Sequence, residues 1–210
     1  ATTVYFQIDQ VIIKLFLGLS ETGIYAAGTK FCSAWYFIPK LISQSLFPAI
    51  VKSKEISQEK YLNRIQEFFD LIVLIGFGLT FLFAPFGTLI SRTLFGVDFL
   101  DAGKVISIYM WSGIFVFIGV VSYRYFLIEN FQKYLLFRSV AGAIINILLN
   151  LIFIPRWGIH GAAYAAVITY FIVYYFMNIF FAFTFPVFVM QTKSLSGYSI
   201  LRRVMIFKRK

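Results

Sequence analysis

The stretch that decides the fold is NILLNLIFIPRWGIHGAAYAAVITY, residues 146–170. One apolar segment stops at Ile154-Pro155-Arg156-Trp157-Gly158, and a second begins at once with Gly161-Ala162-Ala163. Proline and glycine are the strongest local punctuators of a chain, and almost nothing else separates the two blocks. So tight a hairpin between long apolar segments predicts a polytopic bundle of membrane helices. The small residues after the turn predict that one arm packs closely on a neighbour.

Composition points the same way. Of 210 residues, 60% are hydrophobic and 13% charged, and the mean hydropathy is +0.82. Soluble domains run at about 25% charged, so the bilayer is the expected solvent. Lipid leaves no partner for an unpaired backbone group, which permits only helices or a closed barrel. A barrel would show alternating strands of about 10 residues. The apolar runs here are longer and do not alternate, so the fold class is all-α.

Spans need about 20 apolar residues. The pattern predicts six of them, at 1–18, 23–50, 68–91, 104–128, 132–154 and 158–184. Pro39 and Pro48 interrupt the second, and Pro85-Phe86-Gly87 break the third near its end. The polar connection 52–66 reads as a short interfacial helix. Residues 1–186 thus form the membrane unit. Residues 187–210 read as a basic tail lying on an anionic lipid surface, with Ile200, Leu201, Val204 and Phe207 on one face.

Lys and Arg divide unevenly between the two sides. Lys52, Lys54, Lys60, Arg64, Lys133, Arg138, Lys193 and the five basic residues from Arg202 onward fall on one side. Only Arg92, Lys104 and Arg156 fall on the other. The positive-inside rule makes the richer side cytoplasmic, and six spans then put both ends of the chain there. A chain released from a signal peptide would begin outside, so its start at Ala1 reads as truncation. The net charge of +10 is mostly this topology signal, not a nucleic-acid footprint.

Charges inside the spans are expensive, and usually face an interior or a wet cavity. They are Lys14, Lys30, Lys40 and Arg124, with Asp9, Glu67 and Asp70 as acidic counterparts. Asp9 lies near mid-span, Lys14 and Lys30 toward the outer half, and Lys40, Asp70, Arg124 and Arg138 toward the cytoplasmic end, where Arg124 and Arg138 can snorkel. Asp9 and Lys14 lie about 140° apart around a helix, so each needs a partner elsewhere. Ser139, Gly142, Ala143, Asn146 and Asn150 share one face, and Gly161, Ala165 and Thr169 form a small-residue stripe suited to close packing.

No phosphate-binding loop, nucleophile elbow or metal-ligand cluster is visible. The only cysteine, Cys32, reads as a packed apolar residue and the only histidine, His160, as a turn residue. Asp98 and Asp101 flank a short connection without a sugar-nucleotide or metal signature. The chain therefore does not read as an enzyme, and no cofactor is expected.

Three segments together resemble one family. The first is IDQVIIKLFLGLSETGIYAAGTKFCSAWYFIPKLISQSLFPAIVKS, residues 8–53, with its helical Asp, its Gly-x-Tyr-x-Ala turn and its closing Phe-Pro-Ala. The second is APFGTLISRTLFGVDFLDAGKVISI, residues 84–108, and the third is the hairpin at 146–170. In this order they are similar to the polysaccharide transporters of the multidrug/oligosaccharidyl-lipid/polysaccharide exporter superfamily. The likeness is to the C-terminal lobe only. It implies one six-helix lobe of a two-lobe, alternating-access flippase in the bacterial inner membrane. Its cargo would be an undecaprenyl-pyrophosphate-linked oligosaccharide for O-antigen of lipopolysaccharide or for exopolysaccharide. Partners would be that lipid-linked glycan, membrane lipids and the missing N-terminal lobe.

On that reading, Lys14, Lys30, Lys40 and Arg124 would neutralise the pyrophosphate. Asn146 and Asn150 would line the glycan path. Trp35, Tyr36 and Trp111 would stack on sugars. Asp9 would couple an H⁺ or Na⁺ gradient, as in an antiporter. Three other readings compete. A drug or cation exporter of the same superfamily would favour acids in its cavity. A polymerase or ligase of envelope polysaccharide assembly would carry a large outer loop. An inactive half-transporter would lack its other lobe.

Overall fold

A computed structural model describes the backbone of residues 2–199 and the side chains of residues 7–199. The described residues are all-helical, without a strand. Helix α1 is Thr2–Leu17, α2 Leu19–Ala34, α3 Phe37–Ile56 and α4 Gln58–Phe83. A 3₁₀ turn at Ala84–Phe86 leads to α5, Gly87–Phe95, and another at Val97–Phe99 leads to α6, Leu100–Ile128. Helix α7 is Gln132–Tyr174, followed by a 3₁₀ turn at Phe176–Ile179 and by α8, Phe185–Leu195.

Three helical stretches are long and apolar enough to cross a membrane: Gln58–Phe95, Val97–Ile128 and Gln132–Ile179. Helix α6 is the hub. Its sequence is apolar all round, as a helix enclosed by others must be, and 72% of its most apolar window is buried. Large apolar side chains such as Leu15, Phe81, Leu136 and Leu148 stay exposed on the outside. A patch that extensive is rare on a soluble monomer.

Several expected boundaries move, for identifiable reasons. The expected second span divides into α2 and α3. Pro39 has no N–H, and its ring collides with the carbonyl four residues back, at Trp35. The chain tightens there into three-residue turns, Tyr36 N–H to Ser33 O at 3.0 Å and Ile38 N–H to Trp35 O at 3.1 Å. Segment 52–66 is no separate interfacial helix. Its two halves end α3 and begin α4, split at Ser57, whose hydroxyl accepts from Lys60 N–H at 3.1 Å. Ser57 is thus an N-cap, which satisfies one of the free N–H groups of the α4 start. The Pro85-Phe86-Gly87 break falls where expected and frees α5 to lie on α6. Gly87 and Gly103 meet so closely that a Cβ on Gly87 would stand 2.2 Å from the Gly103 carbonyl oxygen.

The hairpin that opened the sequence reading lies within α7. At 43 residues, a straight helix would run about 65 Å, twice a bilayer core. Gly158 breaks it with φ 57° and ψ −141°, and the arms 132–157 and 159–174 run back antiparallel. Arg138 sits over the Tyr174 ring at 5.0 Å. Tyr134 Oη donates to Asn178 Oδ1 at 3.0 Å. A Cβ on Gly161 would stand 2.2 Å from the Phe153 carbonyl oxygen, so the small residues do serve close packing. A Cβ on Gly158 would meet only Leu17 Cδ1 at 3.9 Å, so the demand there is conformational and not steric. Gly158→Ala is expected to cost about 1–3 kcal/mol, read as a lower unfolding temperature in detergent. An unchanged temperature would contradict the left-handed turn.

The tail expected from residue 187 also changes. Residues 187–195 belong to α8, which is docked, with Val187, Met190, Gln191 and Ser194 buried. Gln191 Nε2 donates to Ser122 Oγ at 2.7 Å and to the Tyr174 carbonyl at 2.9 Å, and Asn178 Nδ2 donates to Gln191 Oε1 at 3.1 Å. Asp70 accepts from Gln66, Ser194 and Ser199, which ties α8 to α4. The basic segment 200–210 lies outside the described residues.

Candidate functional site

Besides the polar contacts that dock α8, two polar features of this apolar bundle are candidates for a site. The first surrounds Asp9, in the middle of α1 and fully buried. A carboxylate at that depth must find donors on other helices. It accepts from Tyr25 Oη of α2 at 2.8 Å and from Asn150 Nδ2 of α7 at 2.6 Å. Asn146, one turn before Asn150, stands near enough to act on the same carboxylate, though beyond ordinary hydrogen-bond distance. The antiparallel arms of α7 bring Thr169 about level with Asn146.

Asn146 Oδ1 and Nδ2, Asn150 Oδ1 and Thr169 Oγ1 are buried and carry no hydrogen bond. Each such group costs about 1–3 kcal/mol. A buried carboxylate among polar side chains can hold a proton or a small hard cation, the species that oxygen donors select.

The second feature is a groove of about 530 Å³ walled by α3, α6 and α7, within the size range of small-molecule sites. Lys40, Arg124 and Arg138 line it, and its lining carries no acid. Arg124 is braced. Its Nε donates to Ser43 Oγ at 2.7 Å, and its guanidinium lies over the Phe47 ring at 4.7 Å. Arg138, nearly fully buried, is sandwiched by the rings of Tyr174 at 5.0 Å and Phe126 at 5.6 Å. Tyr36 and Tyr174 supply aromatic wall. Braced guanidiniums are suited to a fixed multi-oxygen anion.

No protein-family model, curated protein or solved structure matches this chain.

The residues named from sequence distribute unevenly over these two features. Lys40 and Arg124 share the groove. Lys14 and Lys30 are exposed on the outside of the bundle, away from it. Asn146 and Asn150 belong with Asp9, while Ser139 from the same helical face lines the groove. Of the aromatics, only Tyr36 reaches the groove. Trp35 stacks on Phe83 at 4.7 Å, and Trp111 meets Phe81 edge-on at 5.7 Å.

Two residues escaped sequence reasoning. Arg138 looked like a snorkelling residue near a span end, and only the fold turns it inward. Tyr25 had an indirect signal, because a buried Asp9 required a donor on another helix. Among the described residues, no group of three or more His, Cys, Asp or Glu stands together. Lys14→Ala and Lys30→Ala are surface changes, expected to stay within about 0.5 kcal/mol. Anion binding in nanodiscs should then remain within about twofold of the parent. A larger loss would move the site off the groove.

Proposed function

We propose that this chain is one lobe of an alternating-access membrane transporter whose cargo is an anionic, lipid-linked glycan carrying a pyrophosphate. The observation that carries the reading is the acid-free groove of Lys40, Arg124 and Arg138 inside a bundle with an apolar exterior. A basic site of this kind, with Arg138 buried, Arg124 half-buried and Lys40 exposed at its mouth, disfavours a cationic drug and favours a phosphate-bearing head group. The aromatic wall suits sugar faces, and the isoprenoid tail would remain in lipid.

The reading takes the lobe to be six spans: α1, α2 with α3, α4 with α5, α6, and the two arms of α7. Both ends would lie at the cytoplasmic face of a bacterial inner membrane. The Asp9 cluster would be the site of H⁺ or Na⁺ coupling. The resemblance to the polysaccharide transporters supports the same cargo class and a second lobe as partner.

The test uses the full chain in lipid nanodiscs with farnesyl pyrophosphate as the probe. Each charge-assisted hydrogen bond is worth about 1.5–3 kcal/mol. The pyrophosphate should therefore bind at least about tenfold tighter than farnesol. Equal affinities would overturn the reading.

A further inference from the structure

Between the Asp9 cluster and the groove runs a file of buried tyrosines that packing does not require. Tyr25, Tyr109 and Tyr170 are fully buried, and Tyr36 and Tyr174 nearly so. Phenylalanine would fill the same space without placing a hydroxyl in an apolar core, and buried tyrosine hydroxyls need partners. Here the partners form a path. Tyr25 donates to Asp9 Oδ2 at 2.8 Å. The Tyr25 ring meets Tyr109 edge-on, with centroids 6.5 Å apart. The hydroxyls of Tyr109 and Tyr170 lie 3.4 Å apart. Tyr170 stacks on Tyr174 at 5.7 Å and 6°, and Tyr174 carries Arg138 on its face at 5.0 Å.

A second branch leaves the same residue. Ser112 Oγ donates to the Tyr109 carbonyl at 2.6 Å and pairs with Tyr36 Oη at 3.1 Å. Both branches end in the groove wall, at Tyr174 and Tyr36. Gly119 fixes the Tyr174 end, because a Cβ there would stand 2.7 Å from Tyr174 Cγ.

We propose that this file couples the two sites, with Tyr109 and Tyr170 as positioning residues that make anion affinity in the groove depend on what occupies Asp9. The proposal rests on the reading of the groove and of Asp9 given above. The switching element is the Tyr25 hydroxyl. With Asp9 ionised and free, Tyr25 donates to it. When a proton or cation binds that oxygen, the carboxylate charge is neutralised and the bond from Tyr25 loses its charge assistance, which frees the hydroxyl to turn. Tyr25 then shifts against Tyr109, and the Tyr109–Tyr170 contact passes the shift to the ring under Arg138. The polar groups facing Asp9 are Tyr25 from α2 and Asn146 and Asn150 from α7, with Tyr109 of α6 and Tyr170 of α7 within electrostatic reach. Coupling of this kind is reciprocal, so the anion must alter cation affinity by the same factor.

The experiment measures farnesyl pyrophosphate affinity in nanodiscs with sodium against choline at constant ionic strength, and across a pH series. The parent chain should show a cation- or pH-linked change of about 5–150-fold. In Tyr109→Phe and Tyr170→Phe the linked change should fall below about twofold, the size of an ordinary surface effect. Affinity in choline and the unfolding temperature should hold. A purely structural role would lower the temperature and leave the linked factor alone. Retention of the parent factor in both variants would overturn the proposal, as would a parent that binds the probe with no cation or pH linkage. A parent that fails to bind the probe at all would overturn the reading of the groove itself, and the coupling with it.

Discussion

Asp9→Asn is expected to abolish cation-linked behaviour while leaving the helical bundle folded. The carboxylate is fully buried and takes one donor on each oxygen, Tyr25 on Oδ2 and Asn150 on Oδ1. Asparagine has the same shape and keeps an acceptor oxygen for Tyr25, but it carries no charge. A charge at membrane depth costs about 2.5–3.5 kcal/mol on insertion scales, so its removal does not weaken the fold by itself. What disappears is the group that a proton or cation would neutralise. The cation- or pH-linked change in farnesyl pyrophosphate affinity, expected at about 5–150-fold in the parent, should fall to none. Stabilisation of the chain by sodium or by acid should vanish with it.

Asp9→Ala makes the contrast. It leaves Tyr25 Oη and Asn150 Nδ2 in an apolar interior without an acceptor, at about 1–3 kcal/mol each. This variant should unfold at a clearly lower temperature. If Asp9→Asn keeps the parent response to sodium and pH, Asp9 is a structural acid and the ion-coupling assignment fails.

The all-helical fold was legible because the apolar runs are long and do not alternate, which leaves helices and not a barrel as the way to satisfy the backbone in lipid. The Gly158 hairpin was legible because proline and glycine interrupt two apolar runs at a fixed place. The polar logic of Asp9 was partly legible, since a mid-span acid must be met by another helix. Which helix would meet it was not, because Tyr25 and Asn150 lie 16 and 141 residues away in the chain. Periodicity alone cannot set such pairings.

The basic residues were harder still. Depth put Lys14 and Lys30 toward the outer half and Lys40 and Arg124 toward the cytoplasmic end, yet depth does not say which way a helix is rotated. Rotation is set by packing on neighbours, and it sends Lys14 and Lys30 outward and Arg124 inward. Arg138 was misjudged for the converse reason. A place near a span end permits snorkelling, but the sandwich of Tyr174 and Phe126 holds the side chain inside. The docking of α8 was hidden because half of its buried face, Gln191 and Ser194, is polar, although Val187, Met190, Gln191 and Ser194 keep the helical i, i+3, i+4, i+7 spacing.

The same rotation argument sets the second large effect, loss of anion binding when the groove loses its guanidiniums. Arg138→Met keeps volume between the two rings and removes the charge. Replacing a buried ionic group by an apolar one of similar size is often neutral or stabilising, so the fold should persist. Arg124→Gln removes the fork that Ser43 and Phe47 brace. Each change should weaken farnesyl pyrophosphate binding by about 10–100-fold, the worth of one charge-assisted hydrogen bond. The two sites approach one ligand, so the double variant should lose less than the sum of the separate losses. Arg124→Lys should not restore the parent affinity. An ammonium offers a point charge, not the planar fork that matches phosphate oxygens. Farnesol binding should be unaffected in every variant, which separates lost anion recognition from a collapsed groove. A double variant that binds the pyrophosphate as the parent does would place the anion site elsewhere in the bundle.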